Sequence, residues 1–386
     1  ANMQESAQRT AHLFETMNGV DTLKCLGAEA WARRQWEMLT VKISENSVRM
    51  REWTSLGTYL SLLVTNLTTI LIVMFGALLI AEGELTMGQL IAVSMLTARA
   101  ITPATQIAAL IVRYEQTRQA LDALDKIMES PTDETTDSLH LPRMQGRIDF
   151  RDTHFAYPES PPLLKGLNLS IRPGERIGFI GRIGSGKSTL FKLLLNLYSP
   201  DQGSVLVDGM SVSQLEPQSL RRQVGYVPQD VVLFHGDIRE NILLGNAQAG
   251  DAQLLEALRL SCLDETLAQM PHGLGTQVGE RGDRLSGGQR QAVSIARALV
   301  QQPRMLLLDE PSSMMDPGTE ARLIDNLRNI KGVTLLLVTH RMAMLPLVDR
   351  LVVLDQGRVV LDGPRAEVLR KLQGSTTPAT PKEYAA

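Results

Sequence analysis

The chain has 386 residues, enough for two domains, and 39 lysines and arginines against 42 acids leave a formal charge of −3. That balance offers no basic field for nucleic acid, and two widely separated cysteines, Cys25 and Cys262, suggest neither a disulfide framework nor a metal site. The mean hydropathy is near zero, but the apolar residues concentrate before residue 115. No secretory signal pattern is present. The chain starts at Ala1 inside a polar helical pattern, so we expect a fragment whose N-terminal part is missing.

Residues 1–52 predict a pair of long, charged, amphipathic helices broken near Asn18-Gly19, where a helix stop is followed by a restart. From Trp53 to Ala81 there is no charged residue, well past the ~20 residues needed to cross the hydrocarbon core. Glu82-Gly83-Glu84 is a short polar turn. A second apolar run, Leu85 to Val112, carries Arg99 and Pro103. So short a turn predicts a helical hairpin with both far ends on one side. Arg49 and Arg51 precede the first span, Arg113 and Arg118 follow the second, and the turn carries only acids. The positive-inside bias puts the far ends in the cytoplasm and Glu82 and Glu84 outside. Arg99 is costly facing lipid; it faces either a transport path or a partner helix to which it hydrogen-bonds. Pro103 is expected to kink or loosen its span. Two spans make no pathway, so others must complete it.

Arg113 to Ser130 continues as polar helix, and Pro131 to Gly146, rich in Pro, Thr, Ser and Asp, reads as a linker. From Arg147 the pattern changes to short apolar strands alternating with helices. Ile177–Ile180 and Met305–Leu308 are wholly apolar, as buried parallel strands are. Between the first of these and a helix near Lys187 lies Gly181-Arg182-Ile183-Gly184-Ser185-Gly186-Lys187-Ser188-Thr189, a phosphate-binding loop in the strand–loop–helix context it needs. Its glycines let backbone N–H groups converge on the β- and γ-phosphates of ATP. Lys187 supplies a point charge there and Ser188 can hold Mg²⁺. Leu308-Asp309-Glu310-Pro311 ends the second strand with two carboxylates: Asp309 is placed for Mg²⁺, directly or through water, and Glu310 as the base that polarises the attacking water. Leu285-Ser286-Gly287-Gly288-Gln289 opens a further helix, whose N–H groups and dipole favour an anion. His340 follows the mostly apolar run Val333–Val338, at a strand end where nucleotide sites collect.

On these motifs the chain, to about Gly374, resembles the C-terminal part of an ATP-binding-cassette (ABC) exporter. The resemblance implies an α-helical membrane region, the last two spans of an exporter bundle, joined to an α/β P-loop nucleotide-binding domain. The expected layout is a partial transmembrane domain over 1–130 (spans about 53–81 and 85–112), a linker over 131–146, a cassette over 147–374 and a disordered tail over 375–386. By the same resemblance Tyr157 stacks on adenine, and Gln229 touches Mg²⁺ and water and senses the membrane domain. Val278–Gly282 touches the cytoplasmic loops, and Ser286–Gln289 bind the γ-phosphate of the partner's ATP. Ser313-Met314-Met315-Asp316 is the dimer-contact loop, with Met-Met where the family more often has Ala-Leu, and His340 holds the γ-phosphate. A signature that serves the partner's nucleotide implies a dimer, and with no catalytic member degenerate we expect two equivalent hydrolysing sites in a homodimer. Met17 to Leu26 matches the coupling helix between the fourth and fifth spans.

The run Phe14 to Glu29 with Trp31 and Trp36, and the arginine of Gly181-Arg182-Ile183-Gly184, are similar to bacterial type I secretion exporters. Those export large unfolded polypeptides across the inner membrane with a periplasmic adaptor and an outer-membrane channel. Lipid, peptide and drug exporters share the architecture and remain alternatives. A soluble ABC ATPase of DNA repair or translation is disfavoured by the fused spans, and an ATP-gated channel by intact Glu310 and His340. Glu310→Gln is expected to keep ATP binding and trap a closed dimer; rapid turnover in that variant, measured as phosphate release, would remove Glu310 as the base.

Overall fold

The computed structural model describes residues 2–130, 132, 139–141 and 143–374, and the chain divides into two units, Ala1–Pro131 and Thr132–Ala386. The tail expected to be disordered, 375–386, lies outside the described residues, as does most of 131–138.

The first unit is helical. Gly19 separates α1 (Asn2–Asn18) from a short α2 (Val20–Cys25). The chain then reverses at Gly27, φ 61°, where the Gly27 and Ala28 N–H groups close on the carbonyls of Lys24 (3.1 Å) and Leu23 (2.9 Å). From there α3 (Glu29–Ala81) runs 53 residues without a break. The interruption expected at Asn18-Gly19 is thus present but wider, with a helix of its own inside it. The charged segment and the apolar run, by contrast, are one helix. Composition changes at Trp53, but no glycine, proline or cap interrupts the helical hydrogen bonds there. Along α3 lies α1: Asn46 Nδ2 donates to Glu5 Oε2 (2.7 Å), and the Arg9 guanidinium sits 5.5 Å over the Trp36 ring.

Past Gly83 (φ 77°) the Thr86 N–H donates to Gln89 Oε1 (2.8 Å), capping α4 (Met87–Met128), which continues past Pro103 as helix. The hairpin of α3 and α4 closes tightly at Gly76, where an added Cβ would lie 2.2 Å from Leu90 Cδ1. Leu56, Leu60, Leu63, Leu67 and Ile70, spaced by threes and fours, form an outward apolar stripe, each more than half exposed. So long a stripe is costly in water and at home in hydrocarbon. Threonine hydroxyls among it are satisfied within the helix: those of Thr54, Thr58, Thr65, Thr68 and Thr69 donate to carbonyls one turn back at 2.8–3.0 Å.

The second unit is α/β. In order it contains β1 (Ile148–Phe155), β2 (Leu164–Ile171), β3 (Arg176–Gly181), α5 (Lys187–Leu194), β4 (Gln202–Val207), β5 (Met210–Ser211), α6 (Pro217–Arg221), β6 (Val224–Val227), α7 (Ile238–Leu243), α8 (Asp251–Leu260) and α9 (Asp264–Ala268). There follow α10 (Gly287–Leu299), β7 (Met305–Asp309), α11 (Pro317–Arg328), β8 (Thr334–Val338), β9 (Arg350–Asp355), β10 (Arg358–Pro364) and α12 (Arg365–Gly374). One sheet, ordered β2-β1-β4-β5, is antiparallel. The other, ordered β10-β9-β3-β8-β7-β6, is parallel except at its β10 edge. Every residue of β7 and β8 is buried, as expected of strands covered on both faces. Phe179 on β3 and Phe191 on α5 meet edge-on at 6.4 Å in the core.

Residues 139–141 and 143–147, mostly from the Pro/Ser/Thr/Asp-rich stretch, are laced to this unit. Leu139 N–H donates to the Gln214 carbonyl (2.7 Å), Leu141 N–H to Ser219 Oγ (3.1 Å) and Met144 N–H to Gln223 Oε1 (2.7 Å). Asp208 alone accepts the N–H groups of Gln145 (2.7 Å), Gly146 (3.1 Å) and Arg147 (2.9 Å). Hydrogen bonds to a charged group contribute about 1.5–3 kcal/mol each, net of the exchange with water, and less where the groups are exposed. Asp208→Ala should therefore lower the melting temperature of the detergent-solubilised chain by several degrees; an unchanged melt would mean that the strap is not held through Asp208.

Candidate functional site

The site forms at the carboxyl ends of β3, β7 and β8, which neighbour one another in the parallel sheet. Ligands collect at such strand ends because loops and helix N-termini converge there. Gly181 ends β3 with φ 154°, and an added Cβ would lie 2.0 Å from the Leu354 carbonyl oxygen. Gly186, φ 99°, caps α5 where an added Cβ would lie 2.7 Å from Leu164 Cδ2. Glycine is therefore required at Gly181 for lack of space against the backbone, and at Gly186 chiefly for its positive φ.

The loop wraps its own lysine. Lys187, 6% exposed, donates from Nζ to the carbonyls of Gly181 (2.9 Å) and Arg182 (2.8 Å) and reaches Ser185 Oγ at 3.5 Å. Burial pushes its ammonium below the ordinary lysine value, against the pull of Glu310 and Asp309. Asp309, last residue of β7, is 2% exposed. Burial pushes its carboxyl above the ordinary range, the Ser188 hydroxyl pulls it back by a hydrogen bond, and neighbouring Glu310 raises it further. Its Oδ1 is buried without a hydrogen-bond partner. An orphaned carboxylate oxygen beside a serine hydroxyl is an oxygen donor set that suits Mg²⁺.

Glu310 follows in a left-handed conformation, φ 49°, its N–H donating to the Val338 carbonyl (2.9 Å). His340 Nε2 lies 3.5 Å from Glu310 Oε1. These groups share a cavity of about 260 Å³ with Tyr157, Ile183, Gly184, Gly186, Lys187, Ser188, Thr189 and Gln229. Ile183 is almost fully exposed at the loop tip, Arg182 is exposed, and Gln229, just past β6, is exposed. Tyr157 meets Phe155 (4.9 Å) and Tyr198 (5.2 Å) edge-on, and its hydroxyl lies 3.2 Å from Thr189 Oγ1.

Ser286, Gly287, Gly288 and Gln289 do not line that cavity. They begin α10, where Ser286 N–H donates to Gln289 Oε1 (2.8 Å) and Gln289 N–H to Ser286 Oγ (3.2 Å), a reciprocal cap that fixes the helix start. Three contributors escaped the sequence reading. Lys192 donates to Tyr157 Oη (3.3 Å) and lies 5.4 Å over its ring, and Tyr198 braces that ring. Gln291, 2% exposed on α10, bonds the loop after β7. Lys192 falls one turn past Thr189 on α5, a helical spacing that was available in the sequence; the other two carry no local signal.

Residues 164–313 match the family model described as ABC transporter, and residues 1–103 that described as ABC transporter transmembrane region. The chain is 36% identical over 371 residues to the leukotoxin export ATP-binding protein LtxB of Aggregatibacter actinomycetemcomitans. It is 35% identical over 371 residues to the leukotoxin translocation ATP-binding protein LktB of Mannheimia haemolytica. Each alignment takes in 96% of this chain and 52% of the relative, so the chain spans about half the length of the curated relatives it matches. The solved structure of a bacterial Atm1-family ABC exporter with ATP bound superposes with a TM-score of 0.89 at 27% identity, over 97% of this chain and 68% of that one.

A buried carboxylate with an unpartnered oxygen costs stability. Asp309→Asn should raise the melting temperature of the nucleotide-free, divalent-free chain by a few degrees; an equal or lower melt would show that the buried charge is not a cost.

Proposed function

The chain belongs to the ABC transporter family, and on that premise we propose that it is the C-terminal part of an ATP-driven exporter of the bacterial inner membrane, with a polypeptide of type I secretion as cargo. The observation that carries the ATPase reading is the meeting of Lys187, Ser188, Glu310 and His340 around one cavity at the ends of parallel strands, with Asp309 buried beside it. The cargo reading is supported by the leukotoxin export and translocation proteins, similar over nearly the whole chain. In this layout residues 1–130 are a partial transmembrane domain, 131–146 the linker and 147–374 the cassette.

ATP lies with adenine on Tyr157 and its phosphates along Gly181–Thr189. Lys187, already desolvated and bonded only to loop oxygens, exchanges those carbonyls for phosphate oxygens. Ser188, Gln229 and the free Oδ1 of Asp309 would hold Mg²⁺, which would supply positive charge to offset that of the phosphates. Glu310 takes the proton of a water that attacks the γ-phosphorus, the bond from that phosphorus to the bridging oxygen breaks, and ADP leaves. His340 holds a γ-phosphate oxygen. Ser286–Gln289, whose reciprocal cap engages the Ser286 and Gln289 N–H groups and fixes the helix start around Gly287 and Gly288, receive the γ-phosphate of a partner's ATP in a homodimer. By the family resemblance α2, within Met17–Leu26, couples this cycle to the spans. A periplasmic adaptor and an outer-membrane channel complete the route, and the cassette is cytoplasmic.

The test compares the culture medium of the native strain with that of a strain carrying Lys187→Ala in the full-length protein, by mass spectrometry. Loss of one or a few large proteins from the medium is the expected result and names the cargo. An unchanged set of secreted proteins would overturn the polypeptide reading in favour of a lipid, peptide or small-molecule cargo.

A further inference from the structure

The helix that opens with the signature, α10, is bonded to the loop that carries the carboxylate of its own site. Gln291 is the bond. It stands two residues past Gln289 and is 2% exposed. Its Nε2 donates to the Glu310 carbonyl (3.1 Å) and to Ser313 Oγ (2.6 Å), and its Oε1 accepts from Met314 N–H (2.9 Å). A primary amide is the side-chain group that offers two donors and an acceptor from one planar head. The Glu310 N–H is fixed on Val338, so both peptide groups flanking the Glu310 Cα are pinned. They hold a non-glycine residue at φ 49°, a conformation that persists only where its surroundings enforce it. The same loop lies on the signature glycines. An added Cβ at Gly287 would lie 3.1 Å from Met314 Cβ, and one at Gly288 2.9 Å from the Met314 carbonyl oxygen. Signature, residues 313–314 and the Glu310 backbone thus form one bonded unit with Gln291 at its centre.

We propose that Gln291 is a positioning residue that ties the signature helix to the Glu310 loop within one cassette, so that a nucleotide bound at the signature and the pose of Glu310 are set together. This rests on the sandwich-dimer ATPase reading given above. Gln291 touches no nucleotide; it acts through Glu310. In a dimer the signature of each cassette serves one nucleotide and its Glu310 the other, and Gln291 is a bonded path between the two sites.

The experiment uses the full-length transporter reconstituted in lipid. Gln291→Glu keeps size and the acceptor for Met314 N–H but cannot donate to the Glu310 carbonyl; Gln291→Met removes all three bonds. Steady-state turnover gives kcat, KM and the Hill coefficient for ATP, and a fluorescent ATP analogue gives nucleotide affinity at equilibrium. Both variants are expected to lose roughly tenfold or more in kcat and to lower the Hill coefficient, with affinity held within about twofold. Should Gln291→Met fail to reach the membrane, Gln291→Glu carries the test alone. Unchanged kcat, or kcat and affinity falling together, would overturn the proposal. Glu310→Gln run alongside separates the two levels: if it stops turnover while the Gln291 variants keep theirs, only this inference fails, and if it turns over freely, the underlying reading fails and takes this one with it.

Discussion

The arrangement of the site depends on holding Lys187 dry. An ammonium taken from water is stable only where oxygens replace its hydration, and here the Gly181 and Arg182 carbonyls do so while Asp309 and Glu310 set the surrounding potential. That constraint fits the apolar runs Met305–Leu308 of β7 and Leu335–Val338 of β8, which line the sheet beneath the site. It is also consistent with glycine at Gly181, where an added Cβ would run into the Leu354 carbonyl, and at Gly186, whose positive φ a side chain would strain. Asp309 is the complement: buried to balance a cation, it retains one oxygen with nothing to bind.

What could be read from the sequence was what is local. The phosphate loop, Asp309 with Glu310, and the Ser286 cap each lie within a few consecutive residues whose types state their chemistry, and the sheet order then gathers the loop, Glu310 and His340. The fold class followed for the same reason, since parallel buried strands and long uncharged helices differ in composition as well as in period. Bonds that join distant segments through ordinary polar side chains were not legible. Gln291 reaches groups 19 to 23 residues away and Asp208 groups 61 to 63 residues away, and nothing in an isolated glutamine or aspartate names its partner. Met314 was visible as an unusual residue, but its seat over Gly287 was not.

In the helical unit the misjudged feature was continuity. The change from charged to apolar residues at Trp53 suggested a boundary, but a helix is ended by caps, glycine or proline rather than by polarity. Gly57 and Gly76 lie inside α3 without breaking it. Gly76 instead provides the space into which Leu90 of α4 fits, so one glycine that weakens helix propensity strengthens helix pairing.

The unbroken 53 residues of α3 make a rod of about 80 Å, while the hydrocarbon core takes up only about 30 Å. The rest is a lever arm. Tilting a rod of that length by about 5° carries one end roughly 7 Å past the other by simple geometry on the helix rise. No joint between Glu29 and Ala81 absorbs that swing. A small rotation delivered at the charged end therefore has one continuous hydrogen-bonded helix to travel along, which makes α3 a lever rather than a tether.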